Sequence, residues 1–167
     1  MKNSFKIILL ISTLFFNTIS INAYSQEKEA KNKIPRFVST RSDEINVRTG
    51  PGVRYPIKWV IVRDKMPLEV IAEFEDWRKV RDFEQAEGWV HRAMLSPKRT
   101  ALVKDNQKSI YSKKDKKSSK VAVANKGTLL SVKECDGFYC EVEAKSVDGY
   151  IEIKNLWGVY ENEKIED

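Results

Sequence analysis

The chain holds one histidine, two cysteines and four tryptophans, and these are the side chains with most chemistry to offer. His91 is its only imidazole. A nucleophilic triad needs a base held against a Ser or Cys and oriented by a third group. His91 has Glu87 nearby in sequence but no serine in a recognisable nucleophile turn. A histidine at the rim of a groove is the reading its surroundings support. The acidic residues are scattered, without the spacing of paired catalytic carboxylates. Cys135 and Cys140, with one distant His and no second Cys pair, do not compose a zinc site. The expectation is a chain with no catalytic residue, no metal and no cofactor.

What remains suits binding. Trp77 and Trp89 each start a β-rich run beside a turn, where an aromatic ring can stand half exposed in a groove or complete a thin core. Trp59 and Trp157 are expected inside. Arg48 is placed either to take a ligand carboxylate or to pin its own loop through Glu or Asp. Tyr55 ends that loop. The ligand-binding candidates are therefore Arg48, Tyr55, Trp77, Trp89 and His91, because amphipathic rings give large contact area at little entropic cost. Lys113, Lys114, Lys116 and Lys117 form a run that serves an anionic partner or simply keeps a loop wet. Asp136-Gly137 is a turn signal, so Cys135 and Cys140 face each other across a hairpin. A disulfide follows in an oxidising compartment, and two free thiols elsewhere.

The elements that position these residues begin with an address. Met1 to Lys6 is positive, Ile7 to Ile21 is mostly apolar, and Ala23-Tyr24-Ser25 supplies small residues before a polar run. This is the three-part pattern of a cleaved secretory signal, residues 1–25. The alternative, a membrane anchor, needs roughly 20 apolar residues, and Asn17 and Asn22 interrupt this stretch. No Cys follows it, which argues against lipid attachment. Lys2 and Lys6 leave with the signal, which lowers the formal charge from +6 to +4. So mild a charge excludes little and gives no reason to expect a nucleic-acid partner.

Residues 26–36 read as a charged, flexible lead-in, with Ile34 to Ser39 an edge strand because Pro35 cannot donate to a ladder. Ile45 to Arg48, Lys58 to Val62, Leu68 to Ala72, Trp77 to Arg81 and Trp89-Val90 read as short strands. They are separated by Thr49-Gly50-Pro51-Gly52, Glu75-Asp76 and Ala86-Glu87-Gly88. Such spacing predicts a sandwich or barrel, and no long stretch has helical periodicity. The pattern then repeats. Gly127 to Val132 echoes Lys65 to Val70, Tyr139 to Val142 echoes Trp77 to Val80, and Gly149-Tyr150-Ile151 echoes Gly88-Trp89-Val90. The offset stays at 61 or 62 residues, the mark of an internal repeat. The predicted boundaries are 37–97 for the first copy, 98–108 for a linker opened after Pro97, 109–160 for the second copy and 161–167 for a tail. In the second copy a lysine-rich loop replaces the Gly-Pro-Gly turn.

Asn46-Val47-Arg48-Thr49-Gly50-Pro51, Trp77-Arg78-Lys79-Val80 and Gly88-Trp89-Val90 resemble the bacterial SH3-like family. Pro35 to Ser39, Met94 to Ala101, Cys135 to Cys140 and Trp157 to Tyr160 resemble its two-barrel subgroup of exported proteins. The resemblance implies an all-β chain of two tandem, partly open, five-stranded barrels that bind cell-wall peptides or proteins. The Tyr-rich acidic loop of proline-reading SH3 domains is missing, and His91 and Glu152 stand where those domains carry a groove proline. Pro-rich recognition is not expected. The function implied is an exported, non-enzymatic binding or scaffolding module of the periplasm or cell envelope, with a protein or peptide ligand. The alternatives are a module that targets peptidoglycan peptide and an envelope hydrolase, for which no stretch is left to form a catalytic domain.

Overall fold

The computed structural model describes residues 33–145 and 147–166. The expected signal and most of the lead-in lie outside them. Fifteen strands, β1 to β15, and two single turns of 3-10 helix make up the regular structure among the described residues. No helix among them is long and apolar enough to cross a membrane.

The first copy comprises β1 (Arg36–Thr40), β2 (Ile45–Arg48), β3 (Ile57–Ile61), β4 (Pro67–Phe74), β5 (Trp77–Arg81), β6 (Glu87–His91) and β7 (Leu95–Ser96). They form one antiparallel sheet in the order β3-β2-β6-β5-β4-β1-β7. The second copy comprises β8 (Thr100–Val103), β9 (Lys108–Tyr111), β10 (Lys120–Ala124), β11 (Leu129–Asp136), β12 (Tyr139–Ala144), β13 (Val147–Glu152) and β14 (Leu156–Trp157). Its order is β10-β9-β13-β12-β11-β8-β14, and β15 (Lys164–Ile165) adds to β11. The two orders are the same, strand for strand. Even the register shift recurs, between Val70 and Ala72 and between Val132 and Glu134. Each order ends on strands that do not pair with each other, so each barrel stays partly open. Seven strands replace the five expected, one of them the two-residue β7.

Alternation explains the cores. In β2 Ile45 and Val47 are buried and Asn46 is exposed; in β6 Gly88 and Val90 are buried between Glu87, Trp89 and His91. The first core is small: Val38, Ile45, Val47, Leu68, Val70, Val80, Val90 and Leu95, with Trp59 and Ile61 packed against it. The second is larger and includes the Cys135–Cys140 disulfide. The disulfide joins residues that pair directly across β11 and β12, as the hairpin turn predicted.

Four expectations need correction. β1 is not an edge strand: it pairs with β4 on one side and β7 on the other, and Pro35 precedes it. Arg36, placed in the lead-in, opens that strand. The segment 98–108 is no linker, because β8 inside it is buried at all four residues and pairs with β11 and β14. Polar flanks hid a strand whose Thr100-Ala101-Leu102-Val103 side chains are all covered. The described part of the predicted tail 161–167, through Glu166, folds back, with Ile165 opposite Cys135.

Trp157 is also misplaced by the sequence reading. It packs between the barrels, edge-on to Phe37 at 5.1 Å and near Phe83 at 6.2 Å. Tyr160 joins this seam, its ring 4.7 Å from Phe37 and its hydroxyl donating to Glu69 Oε1 at 2.9 Å. Burial, then the bond to Glu69, pushes the Tyr160 hydroxyl above its ordinary range. Thr100 Oγ1 donates to the Lys65 carbonyl at 2.7 Å, a further tie from the second barrel to the first.

Candidate ligand-binding face

β5 and β6 set the face. Their register pairs Trp77 with His91, Lys79 with Trp89 and Arg81 with Glu87, and all six alternate with the buried Val80, Gly88 and Val90. Gly88 is required there. A Cβ on it would lie 2.4 Å from Val47 Cγ1 and 3.2 Å from the Trp59 ring. Trp59 and Val47 thus fill the inside of the strand, and Trp89 is left on the outside.

Trp77 and His91 meet edge to face at 5.4 Å. The corner is braced from both sides. His91 Nδ1 accepts from the Ala93 N–H at 3.3 Å and caps the 3-10 turn Arg92–Met94. Arg92 binds Asp76 twice, Nε to the carboxylate at 2.8 Å and backbone N–H to the carbonyl at 2.8 Å. With Nδ1 accepting, a neutral His91 ring carries its proton on Nε2. Phe74, half exposed, stands opposite Trp77 across β4 and β5. The sequence reading missed it. Its signal was an aromatic three residues before Trp77 across a two-residue turn.

Arg48 stands opposite Trp89 across β2 and β6. Its Nη1 donates to the carbonyls of Val53 at 3.1 Å and Tyr55 at 2.8 Å. It therefore pins its own loop, through carbonyls and not through the carboxylate expected. Tyr55 is folded against the same loop. A Cβ on Gly50 would lie 2.4 Å from its ring, and Arg54 covers the ring at 5.2 Å. Ring contacts among the described residues do not join Tyr55 to Trp77 or Trp89. Of the five candidates, Trp77 and His91 touch, Trp89 stands next in the row, and Arg48 with Tyr55 builds the wall beside it.

The far end of the face is charged. Glu87 binds Lys79 Nζ at 2.7 Å and Arg81 Nη2 at 2.7 Å, and these bonds, Lys79 first, hold its carboxyl below the usual range. Arg81 also reaches Glu69 at 3.2 Å, which links the face to Tyr160 in the seam.

The second barrel differs at the same positions. Tyr139 pairs with Glu152 where Trp77 pairs with His91, and Glu141 with Tyr150 where Lys79 pairs with Trp89. Its lysine loop is folded onto that face. Lys114 Nζ binds Glu134 at 2.8 Å and lies 5.6 Å over the Tyr150 ring; Lys116 binds Glu152 at 2.8 Å. The loop is braced inside by Ser118 Oγ donating to the Asp115 carbonyl at 2.6 Å and by the Lys117 N–H donating to Asp115 Oδ1 at 2.9 Å. Two of the four lysines proposed for an anionic partner are thus engaged within their own barrel. A hollow of about 530 Å³ beside Phe138 and Tyr139 remains.

The profile of the bacterial SH3 domain matches residues 41–97 and again 104–158. No curated protein matches the chain. Among solved structures it is similar to NlpC2 from Trichomonas vaginalis, at 12% identity and a TM-score of 0.34, over 74% of this chain and 48% of that one. NlpC1 from the same organism is similar at 13% identity and a TM-score of 0.34, over 74% and 46%. The chain thus spans about half the length of those two structures. Two profile matches in tandem coincide with two copies of one strand order, and the chain belongs to the bacterial SH3 domain family, which it carries twice.

Proposed function

We propose that this is an exported, non-enzymatic binding module of the cell envelope that holds a protein or peptide ligand on the outer face of β5 and β6. The observation that carries this reading is the row of partly exposed rings at Trp77, His91 and Trp89, walled by the loop that Arg48 pins. A rigid aromatic row beside a polar rim is the composition of a binding hot spot. The asymmetry between the copies supports placing the ligand on the first barrel, since lysines of the second barrel's own loop lie over the equivalent face.

The absence of enzymatic activity is part of the proposal. The chain's one histidine caps a turn through Nδ1, and both cysteines are joined to each other, so neither is disposed as a base with a nucleophile. Export rests on the N-terminal sequence pattern, with which a disulfide agrees. Members of this family bind cell-wall material as well as proteins, so peptidoglycan peptide is the second ligand class. Co-sedimentation with purified sacculi, beside affinity capture from envelope extract, separates the two. Retention on sacculi assigns the peptide, and capture of one envelope protein without sacculus binding assigns the adaptor. Hydrolysis of sacculi by the purified chain would overturn the non-enzymatic reading.

A further inference from the structure

A cleft of about 750 Å³ lies between the two barrels, away from the aromatic row. Five cations line it, Arg41, Lys65, Lys98, Arg99 and Lys133, against two carboxylates, Asp64 and Glu166. The cations fall into two groups. Those of the second barrel are already paired: Arg99 grips Glu163 with both arms, at 2.7 and 3.0 Å, and Lys133 binds Asp148 at 2.8 Å. Arg41, Lys65 and Lys98 have no ion-pair partner among the described residues. Against Asp64 and Glu166 of the same lining, likewise unpaired among those residues, they leave an excess of one positive charge on a concave surface, which favours an anion.

Lys65 supplies an independent observation. Its φ is 55°, in the left-handed region that favours glycine. The internal repeat puts Gly127 at the equivalent position, with φ 78° and nothing within 4 Å of the space its Cβ would occupy. The second copy thus follows the backbone preference, and the first departs from it at the copy whose side chain lines the cleft. The backbone is held in place by both barrels, the Lys65 N–H donating to the Thr40 carbonyl at 3.1 Å and its carbonyl accepting from Thr100 Oγ1 at 2.7 Å.

The chain also shows what fits. Lys164–Ile165 adds as a short strand to β11, which puts the neighbouring Glu163 into the Arg99 fork and Glu166 at the rim of the cleft. An extended acidic segment therefore already lies along one wall. We infer that the inter-barrel cleft is a second binding site, and that it takes an extended, carboxylate-rich peptide whose side chains pair with Arg41, Lys65 and Lys98.

The test uses the full chain and a fluorescein-labelled octaglutamate peptide, read by anisotropy at low salt. Saturable binding is expected, and the triple variant Arg41→Gln, Lys65→Gly, Lys98→Gln should weaken it about tenfold, the product of three modest surface attractions. Replacing Lys113, Lys114, Lys116 and Lys117 with Gln removes more charge and should change it less than about twofold. Lys98→Gln alone, at an exposed residue, keeps the test valid should the triple variant melt early, and should weaken binding about twofold. Trp77→Ala should leave this affinity unchanged, which separates the cleft from the aromatic face. No saturable binding, or equal loss from the cleft and loop variants, would overturn the site. Competition by inorganic tripolyphosphate as strong, charge for charge, as by unlabelled peptide would overturn the peptide assignment.

Discussion

Gly158 offers the sharpest stability test, because it stands where the barrels meet and its surroundings are backbone. Its φ is +120°, and a Cβ would lie 2.3 Å from the Thr100 carbonyl oxygen, 2.9 Å from Ala101 Cα and 3.2 Å from Pro67 Cβ. Thr100 and Ala101 belong to β8 of the same barrel and Pro67 opens β4 of the other, so the methyl would press chiefly on β8 and only touch the first barrel. Its carbonyl also accepts from Arg99 Nη2 at 2.8 Å. Forcing an L side chain into this backbone region costs about 1–3 kcal/mol, and overpacking against atoms that cannot rotate away costs about 1–3 kcal/mol more. Gly158→Ala should therefore lose roughly 4 kcal/mol, of a total stability of about 5–15 kcal/mol. At about 4 °C per kcal/mol for a unit of this size, the melting temperature should fall by roughly 15 °C. Gly127→Ala is the control, since it has positive φ but open space. It carries the strain alone, about 1 kcal/mol and roughly 4 °C. Melts followed by circular dichroism and tryptophan fluorescence decide it. If Gly158→Ala melts no lower than Gly127→Ala, the close packing of Gly158 on β8 described here is wrong.

Three further outcomes are expected. Thiol titration of denatured, unreduced protein should find no free thiol, and reduction of Cys135–Cys140, a loop with a sequence separation of 5, should cost about 2 kcal/mol; two reactive thiols per chain would contradict the pairing. The glutamine variants of Lys113, Lys114, Lys116 and Lys117 should bind the natural ligand as the parent does, because two of these lysines serve their own barrel; a loss at low salt that vanishes at high salt would restore the loop as a contact. Mass spectrometry of the exported protein should show a start after Ser25, and retention of Met1 to Ile21 would make it a membrane-anchored module.

The sequence was most informative where side-chain chemistry is local. Glycine and proline turns, the alternation of Ile45-Asn46-Val47-Arg48 and the facing cysteines each depend on a few neighbouring residues, and the strands and the disulfide appear where they were expected. It was least informative at the seam. β8 was read as a linker because its burial comes from β11, β14 and the first barrel, none of it visible in a four-residue run. Trp157 was placed inside the second barrel because an aromatic near a chain's final strand has no local mark that distinguishes a core from an interface. Within the candidate face, Trp77 and Trp89 were singled out by their positions beside turns and His91 as a groove-rim residue, and strand register brings the three onto one face. Arg48 was left between two roles because carbonyl acceptors carry no sequence signal, and Phe74 was missed because register decides which residue faces Trp77. The basic cleft had no signature at all: its cations are spread over the chain from Arg41 to Lys133 and meet only through packing.

The central claim is that the rings on β5 and β6 bind a ligand and do not hold the barrel together. Trp77→Ala and Trp89→Ala, each melted and each assayed for capture of an envelope protein and for retention on purified sacculi, test it most directly. Rings that serve binding should leave the melting temperature within a few degrees of the parent while the ligand is lost. A core tryptophan changed to alanine should instead cost about 3–5 kcal/mol. Two variants that unfold, or two that stay folded and bind as well as the parent, would contradict the account.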